Sequence, residues 1–180
     1  MGVKYGLCNA HFAKILSTGS YDTPTRMPGA ESLTLDDHTD LLISNAAGAE
    51  VPVGVKGAYK SGELAVTSLP LAFLTGLLGY KYENGILSEG KTKSDRFALL
   101  FESIDKTTPE RFVFYDCIAY LPGFKRITTA ENIELSSDKL SIAVRRPLAR
   151  LLRGYDADYK RSCLKGQQAY DNWFKEVYTA

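Results

Sequence analysis

The sequence predicts a β-rich fold, and three observations carry that prediction. Segments that alternate apolar and polar residues recur along the chain. Turn-forming clusters separate them, and helical spacing marks only a few short stretches.

In chain order, residues 5–16 form the first extended segment. Ser17-Thr18-Gly19-Ser20 and Asp22-Thr23-Pro24 close it with strong turn-forming types. In residues 30–36, Leu33 and Leu35 fall on one face and Ser32 and Thr34 on the other; in 63–67, Leu64 and Val66 oppose Glu63, Ala65 and Thr67. That is the pattern of a sheet with one buried side. A short helix follows, with Ser68 as cap, Pro70 in the first turn, an apolar stripe of Leu71, Leu74, Leu77 and Leu78, and Gly79 as stop. Asn84-Gly85 is the preferred pair for a type I′ hairpin turn. Two aromatic strands, 97–104 and 111–120, are joined by Asp105-Lys106-Thr107-Thr108-Pro109. Ile133 and Leu135 share a parity that Leu140, Ile142 and Val144 do not, so a bulge or turn is expected near Ser136-Ser137-Asp138. Tyr170, Trp173, Phe174 and Val177 recur at helical spacing and predict an amphipathic helix over 167–178. Residues 36–57, rich in small residues and weakly periodic, read as an irregular projecting arm. The expected division is a β domain over 1–146, with the arm at about 36–57, and a basic extension over 147–180.

Composition bounds the function. At 180 residues and 44% hydrophobic content the chain holds a sizeable core. The 22 basic and 21 acidic residues leave a net charge of +1, so no overall field favours nucleic acid or an anionic membrane. No apolar run reaches the roughly 20 residues of a membrane span, and the opening six residues lack a signal-peptide core, which predicts a soluble protein made in a cytoplasm. Cys8, Cys117 and Cys163 are odd in number and far apart, which predicts neither a disulfide scaffold nor a zinc site.

Charge is nevertheless sorted along the chain. Residues 27–55 hold five acids, Glu31, Asp36, Asp37, Asp40 and Glu50, and no Lys or Arg, a local charge of −5. Residues 145–165 hold seven bases, Arg145, Arg146, Arg150, Arg153, Lys160, Arg161 and Lys165, against Asp156 and Asp158, a local charge of +5. Opposite patches in one near-neutral chain suit head-to-tail contacts between copies, for which Asp36, Asp37, Asp40, Glu50, Arg145, Arg146, Arg150 and Arg153 are the candidate residues. The alternatives are two solvated faces of a monomer, or a nucleic-acid patch with Tyr155 or Tyr159 as its stacking group.

Four motifs offer chemistry. Gly85, Gly90, Lys91 and Thr92 match a phosphate loop, with Phe112-Val113-Phe114-Tyr115 ending in the carboxylate of Asp116. Such a loop needs a buried aliphatic strand before it and a helix after it. Here Tyr80-Lys81-Tyr82-Glu83 alternates aromatic and charged residues, and the Asn84-Gly85 turn uses the motif's first glycine for chain reversal. Phe97, Leu100, Phe101 and Ile104 do fall at helical spacing, so a helix at 93–104 is what the nucleotide-hydrolase alternative predicts. Asp36-Asp37-His38-Asp40 offers metal-ligand types without a second cluster, and reads as an acidic loop. His11 and His38, the two histidines, lie near no nucleophile motif, and basic neighbours keep Asp156 and Asp158 both ionised. No catalytic residue, cofactor or metal is expected.

An ordered series of short motifs adds a family resemblance. Tyr5-Gly6-Leu7 with Asn9, Tyr21 and Pro24, and Pro28-Gly29-Ala30 open it. Ser61-Gly62-Glu63-Leu64, Leu69-Pro70, Phe73-Leu74-Thr75 and Leu78-Gly79 continue it, followed by Glu83-Asn84-Gly85 with Glu89. Phe97-Ala98-Leu99-Leu100-Phe101-Glu102, Phe112-Val113-Phe114-Tyr115-Asp116-Cys117 and Tyr170-Asp171-Asn172-Trp173-Phe174 complete it. Together they resemble the major tail proteins, or tail tube proteins, of long-tailed non-contractile phages. Cys8 and the basic stretch 145–165 depart from that pattern. The resemblance implies a sandwich or open barrel of two packed antiparallel sheets with one flanking helix. It implies hexameric rings that stack into a hollow tube conducting DNA, within a virion tail assembled in a host cytoplasm. The implied partners are further copies of the chain, a tape measure protein, a tail terminator and baseplate or distal tail proteins, with transient non-specific passage of DNA and no membrane. A monomeric β-barrel module binding a ligand or nucleic acid is the other alternative. Substituting Lys91→Ala separates these readings: titration with ATP or GTP is expected to show no saturable binding by the parent chain, and assembly is expected to be unchanged in the variant.

Overall fold

The computed structural model describes residues 4–46, 49–90, 94–105, 108–122, 137–147 and 158–179. Its strands are β1 (Lys4–Lys14), β2 (Thr25–Arg26), β3 (Ala30–Ala46), β4 (Ala49–Val66), β5 (Lys81–Glu83), β6 (Ile86–Ser88), β7 (Phe97–Asp105), β8 (Pro109–Tyr120), β9 (Asp138–Arg145) and β10 (Lys160–Leu164). Helix α1 (Leu71–Gly76) lies between β4 and β5 and is the one α-helix among the described residues.

Among the described residues eight strands form one antiparallel sheet, seven in the order β2-β1-β7-β8-β9-β4-β3 and the eighth, β10, beside β8, while β5 and β6 form a separate hairpin. The sheet branches at β8. One edge of β8 pairs with β7 along most of its length. The other edge pairs with β10 over Glu110–Phe114 and with β9 over Cys117–Tyr120. The far strand β3 also comes back against β1, so the sheet wraps a single core in a sandwich-like arrangement.

Side-chain alternation explains both faces. Phe12 of β1, Leu64 and Val66 of β4, Phe97, Leu99 and Phe101 of β7, Phe112 and Phe114 of β8, and Leu140, Ile142 and Val144 of β9 converge inside. Phe73, Leu77 and Leu78 of the α1 region complete that core. The intervening residues Ala98, Leu100, Val113 and Tyr115 point the other way, into a second cluster closed by Cys163, Tyr170, Trp173 and Val177. Strands β7 and β8 are therefore buried on both faces, which is why their sequences run apolar without alternation.

The cover on that second face is the C-terminal segment. Trp173 donates from Nε1 to the Phe112 carbonyl at 3.2 Å, and the Tyr115 hydroxyl donates to the Tyr178 carbonyl at 2.7 Å. Burying each large apolar side chain contributes roughly 2–3 kcal/mol, so Tyr170, Trp173 and Val177 suffice to fasten the segment. The expected helix over 167–178 is instead a 3-10 turn, Tyr170–Asn172, flanked by turns. The bonds Tyr170 N–H to Gln167 O and Trp173 N–H to Tyr170 O close three-residue rings, which place Tyr170 and Trp173 on one face.

Strands over 5–16, 97–104 and 111–120 correspond to β1, β7 and β8, and Leu33, Leu35, Leu64, Val66, Leu140, Ile142 and Val144 face the core. Of the stripe expected at α1, Leu77 and Leu78 are buried and Leu74 packs against the core, whereas Leu71 is 42% exposed and Phe73, outside the stripe, is fully buried. Pro70, not Ser68, occupies the cap position, without a side-chain cap bond. Asn84 and Gly85 take positive φ of 51° and 80° in the β5–β6 turn, as a type I′ hairpin requires. The helix that a phosphate loop needs after Lys93 is replaced from Phe97 by strand β7. Lys91, Thr92, Ile133 and Leu135 lie outside the described residues.

The irregular arm expected over 36–57 is a regular β-hairpin. Strands β3 and β4 pair from Ala30↔Val66 out to Ala46↔Ala49. Register shifts at Asp40/Leu41 and Leu42/Ile43 interrupt the alternation, and Pro52, Gly54 and Gly57 carry weak strand propensity, so the sequence pattern fades where the pairing continues. At the base the two backbones approach closely at Gly62, where an added Cβ would stand 1.8 Å from the Thr34 carbonyl oxygen. Gly62→Ala is therefore expected to cost roughly 2 kcal/mol and lower the Tm by about 6 °C. Gly76→Ala, where nothing lies within 4 Å, is the control; a calorimetric scan compares them.

Candidate assembly surface

Strand β9 follows β4 only from Val66↔Asp138 to Tyr59↔Arg145. Beyond Tyr59, β3 and β4 continue as a two-stranded ribbon with no third strand on either edge among the described residues. The seven pairs from Asp40↔Gly57 to Ala46↔Ala49 carry it about 20 Å outward at the usual rise per residue. Pro52 fits this position, because a residue without an N–H is tolerated on an edge strand and not in a sheet interior.

The ribbon's root is a charged mouth to the apolar core. On the inward face the cross-strand pairs run Leu33↔Leu64, Leu35↔Gly62, then Asp37↔Lys60, so an ion pair follows directly on packed leucine. Lys60 Nζ also lies 5.9 Å from the centre of the Tyr159 ring, and the Arg146 guanidinium lies 5.9 Å from the same centre. Lys160 opens β10 opposite Phe114 and stands 5.9 Å from the Phe112 ring. The Lys60 ammonium holds the Asp37 carboxyl below the usual carboxylate range, first by its hydrogen bond and then by its charge, with a smaller contribution from Lys160. Lys60 and Arg146 thus share the Tyr159 ring, while Lys160, beside the Phe112 ring, joins Lys60 in acting on the Asp37 carboxylate. On the opposite face, His38 stacks on Tyr59 at 4.9 Å and bonds the Ser61 hydroxyl at 2.8 Å.

The candidate residues are only partly brought together. Asp36 is exposed opposite Ser61, and Asp37 is exposed but engaged within its own chain by Lys60. Asp40 and Glu50 lie along the ribbon at register positions opposite Gly57 and Asn45. Arg145 ends β9 opposite Tyr59, with Arg146 next, both exposed. Arg150 and Arg153 lie outside the described residues. The sequence reading had Lys160 in the basic run and Tyr159 as a possible stacking group but missed Lys60 and the grouping of the three, which depends on the pairings β3↔β4 and β8↔β10.

Elsewhere the polar groups hold the fold. Asp116, fully buried, accepts from Arg96 through both oxygens, with Nε to Oδ1 at 2.7 Å, so the carboxylate of the phosphate-loop reading is committed to a structural ion pair. Burial pushes the thiols of Cys117 and Cys163 upward, away from nucleophilic thiolate. A cavity of about 790 Å³ between β10 and the C-terminal segment is lined by Glu110, Cys163, Gln167 and Trp173, among others, with no histidine. On the outer face Arg111 donates to Glu102 at 2.8 Å and lies under the rings of Tyr170 at 3.8 Å and Phe174 at 4.6 Å. Among the described residues no helix is long and apolar enough to cross a membrane, and no cluster of three metal-ligating side chains occurs. No protein-family model matches the sequence, and no curated protein matches it.

His11 stacks on Phe174 at 4.4 Å, so it joins β1 to the C-terminal segment. Burial lowers its pKa below the ordinary 6.5, with the charges of Arg26 and Arg111 acting in the same direction. A His with a lowered folded-state pKa stabilises above the unfolded value and loses that contribution as pH falls below about 6.5. The Tm is therefore expected to fall more steeply from pH 7 to 5 in the parent protein than in His11→Gln, as thermal melts at several pH values would measure.

Proposed function

We propose that this chain is a structural subunit that associates with copies of itself, forming hexameric rings that stack into the tube of a phage tail. The observation that carries the reading is the ribbon over residues 40–57, whose edges meet no third strand among the described residues. An isolated two-stranded ribbon is marginal in water, and its open edges are templates for pairing with another chain. A long hairpin kept in this form is therefore best explained by a neighbour that completes it. The tube itself, the hexamer, DNA conduction, the virion location and the further tail partners come from the motif series, and the antiparallel sandwich-like fold with one short helix agrees with that family's architecture.

The role asks for recognition surfaces and no chemistry. Buried ion pairs such as Arg96–Asp116 suit a rigid building block, since removing one partner of such a pair costs about 3–5 kcal/mol. Deleting residues 40–49 tests the proposal. The shortened chain is expected to keep its sheet and a melting temperature within a few degrees of the parent, yet to sediment as a monomer where the parent forms rings or tubes. Normal tubes from the deletion variant would refute the role given to the ribbon.

A further inference from the structure

Among the described residues the mouth cluster carries more cations than carboxylates. Lys60 pairs closely with Asp37, and Lys160 acts on the same carboxylate from farther off, whereas neither Arg146 nor Lys160 makes a close ion pair of its own among the described residues. The cluster already accepts one carboxylate from the acidic strand β3, in the Asp37–Lys60 pair. That contact displays the chemistry the site selects: a carboxylate presented from an extended strand, beside an aromatic ring that keeps the cations in place. The same sequence supplies more of that ligand. Residues 27–55 are acidic without a single Lys or Arg, and Asp40 and Glu50 lie on the ribbon that extends beyond the sheet. A chain's own ribbon leads away from its own mouth, because the ribbon begins where β9 ends. Asp40 and Glu50 of the ribbon are therefore offered to the cluster of another copy.

We infer that the basic patch of Lys60 and Arg146 at Tyr159, with the neighbouring Lys160, is the seat for the acidic β3–β4 ribbon of a second copy, in a head-to-tail contact. The inference rests on the self-assembly reading and assigns its receiving surface. Such a contact is heterologous, so repeating it generates rings or filaments rather than a closed dimer. Exposed opposite charges set register and speed of encounter more than affinity, so assembly should weaken as salt rises.

Charge exchange tests the seat directly. One variant reverses the seat, Arg146→Glu with Lys160→Glu; another reverses the ribbon, Asp40→Lys with Glu50→Lys. Each alone is expected to lose assembly in sedimentation velocity, and an equimolar mixture to regain it, because each variant then offers the charge that the other lacks. Regain in the mixture also proves both variants folded. Should the seat reversal fail to melt cooperatively, Arg146→Ala with Lys160→Ala replaces it, with an expected rise of at least tenfold in the concentration needed to assemble. Assembly of the seat variant at the parent's concentration overturns the seat and leaves self-assembly standing, and a mixture that stays monomeric overturns it too. A parent chain that never associates removes the function on which the seat depends. Binding of a 30-nucleotide single-stranded DNA that is lost in the seat variant, with assembly unchanged, would reassign the cluster to nucleic acid.

Discussion

A two-stranded ribbon has few means of holding itself together in water, and the distal halves of β3 and β4 are such a ribbon. Their proximal halves are held by β9 and by the return of β3 toward β1, where Leu33, Leu35, Leu64 and Val66 meet the core. Past Tyr59 that support ends. The stability of the domain therefore resides at one end of these strands, while the edges of the other end pair with no third strand among the described residues. The rest of the molecule can be understood as an anchor rigid enough to aim that ribbon.

The anchor gets its rigidity from β8. It hydrogen-bonds along both edges, to β7 on one side and to β9 and β10 on the other, and both its faces are buried. Phe112 and Phe114 fill the inner core as Val113 and Tyr115 hold the C-terminal segment outside. Burial pushes the Tyr115 phenol up to about 12, so its hydroxyl remains a donor to Tyr178 at any ordinary pH. Polar groups near this strand are matched: Asp116 to Arg96, and Glu102 to Arg111. Because β10 is laid on β8 next to the end of β9, the basic C-terminal approach is brought to the root of the acidic ribbon. Charge sorting that is remote in sequence becomes a local contact through a single shared strand.

Much of this fold was legible from period and turn chemistry. Leu33 and Leu35, Leu64 and Val66, and Leu140, Ile142 and Val144 alternate strictly, and the structure places them on the core face. Asn84-Gly85 specified its hairpin because both residues accept positive φ. The ribbon was hidden because two register shifts break its alternation and Pro52, Gly54 and Gly57 depress its propensity, whereas backbone pairing requires neither. At the C-terminus the spacing of Tyr170, Trp173 and Val177 located the buried side chains correctly but not the helix type, since three- and four-residue spacings suit a 3-10 turn as well as an α-turn. The acidic and basic runs could be counted in the sequence. Their meeting round Tyr159 could not, because it depends on which strands are neighbours.

Everything turns on the ribbon being completed by another copy of the same chain. Electron microscopy of the purified protein over a rising concentration series addresses that most directly. The account predicts rings of uniform diameter, and tubes with a regular axial repeat as concentration increases. A field of single particles the size of one chain, unchanged at every concentration and at low salt, would contradict it.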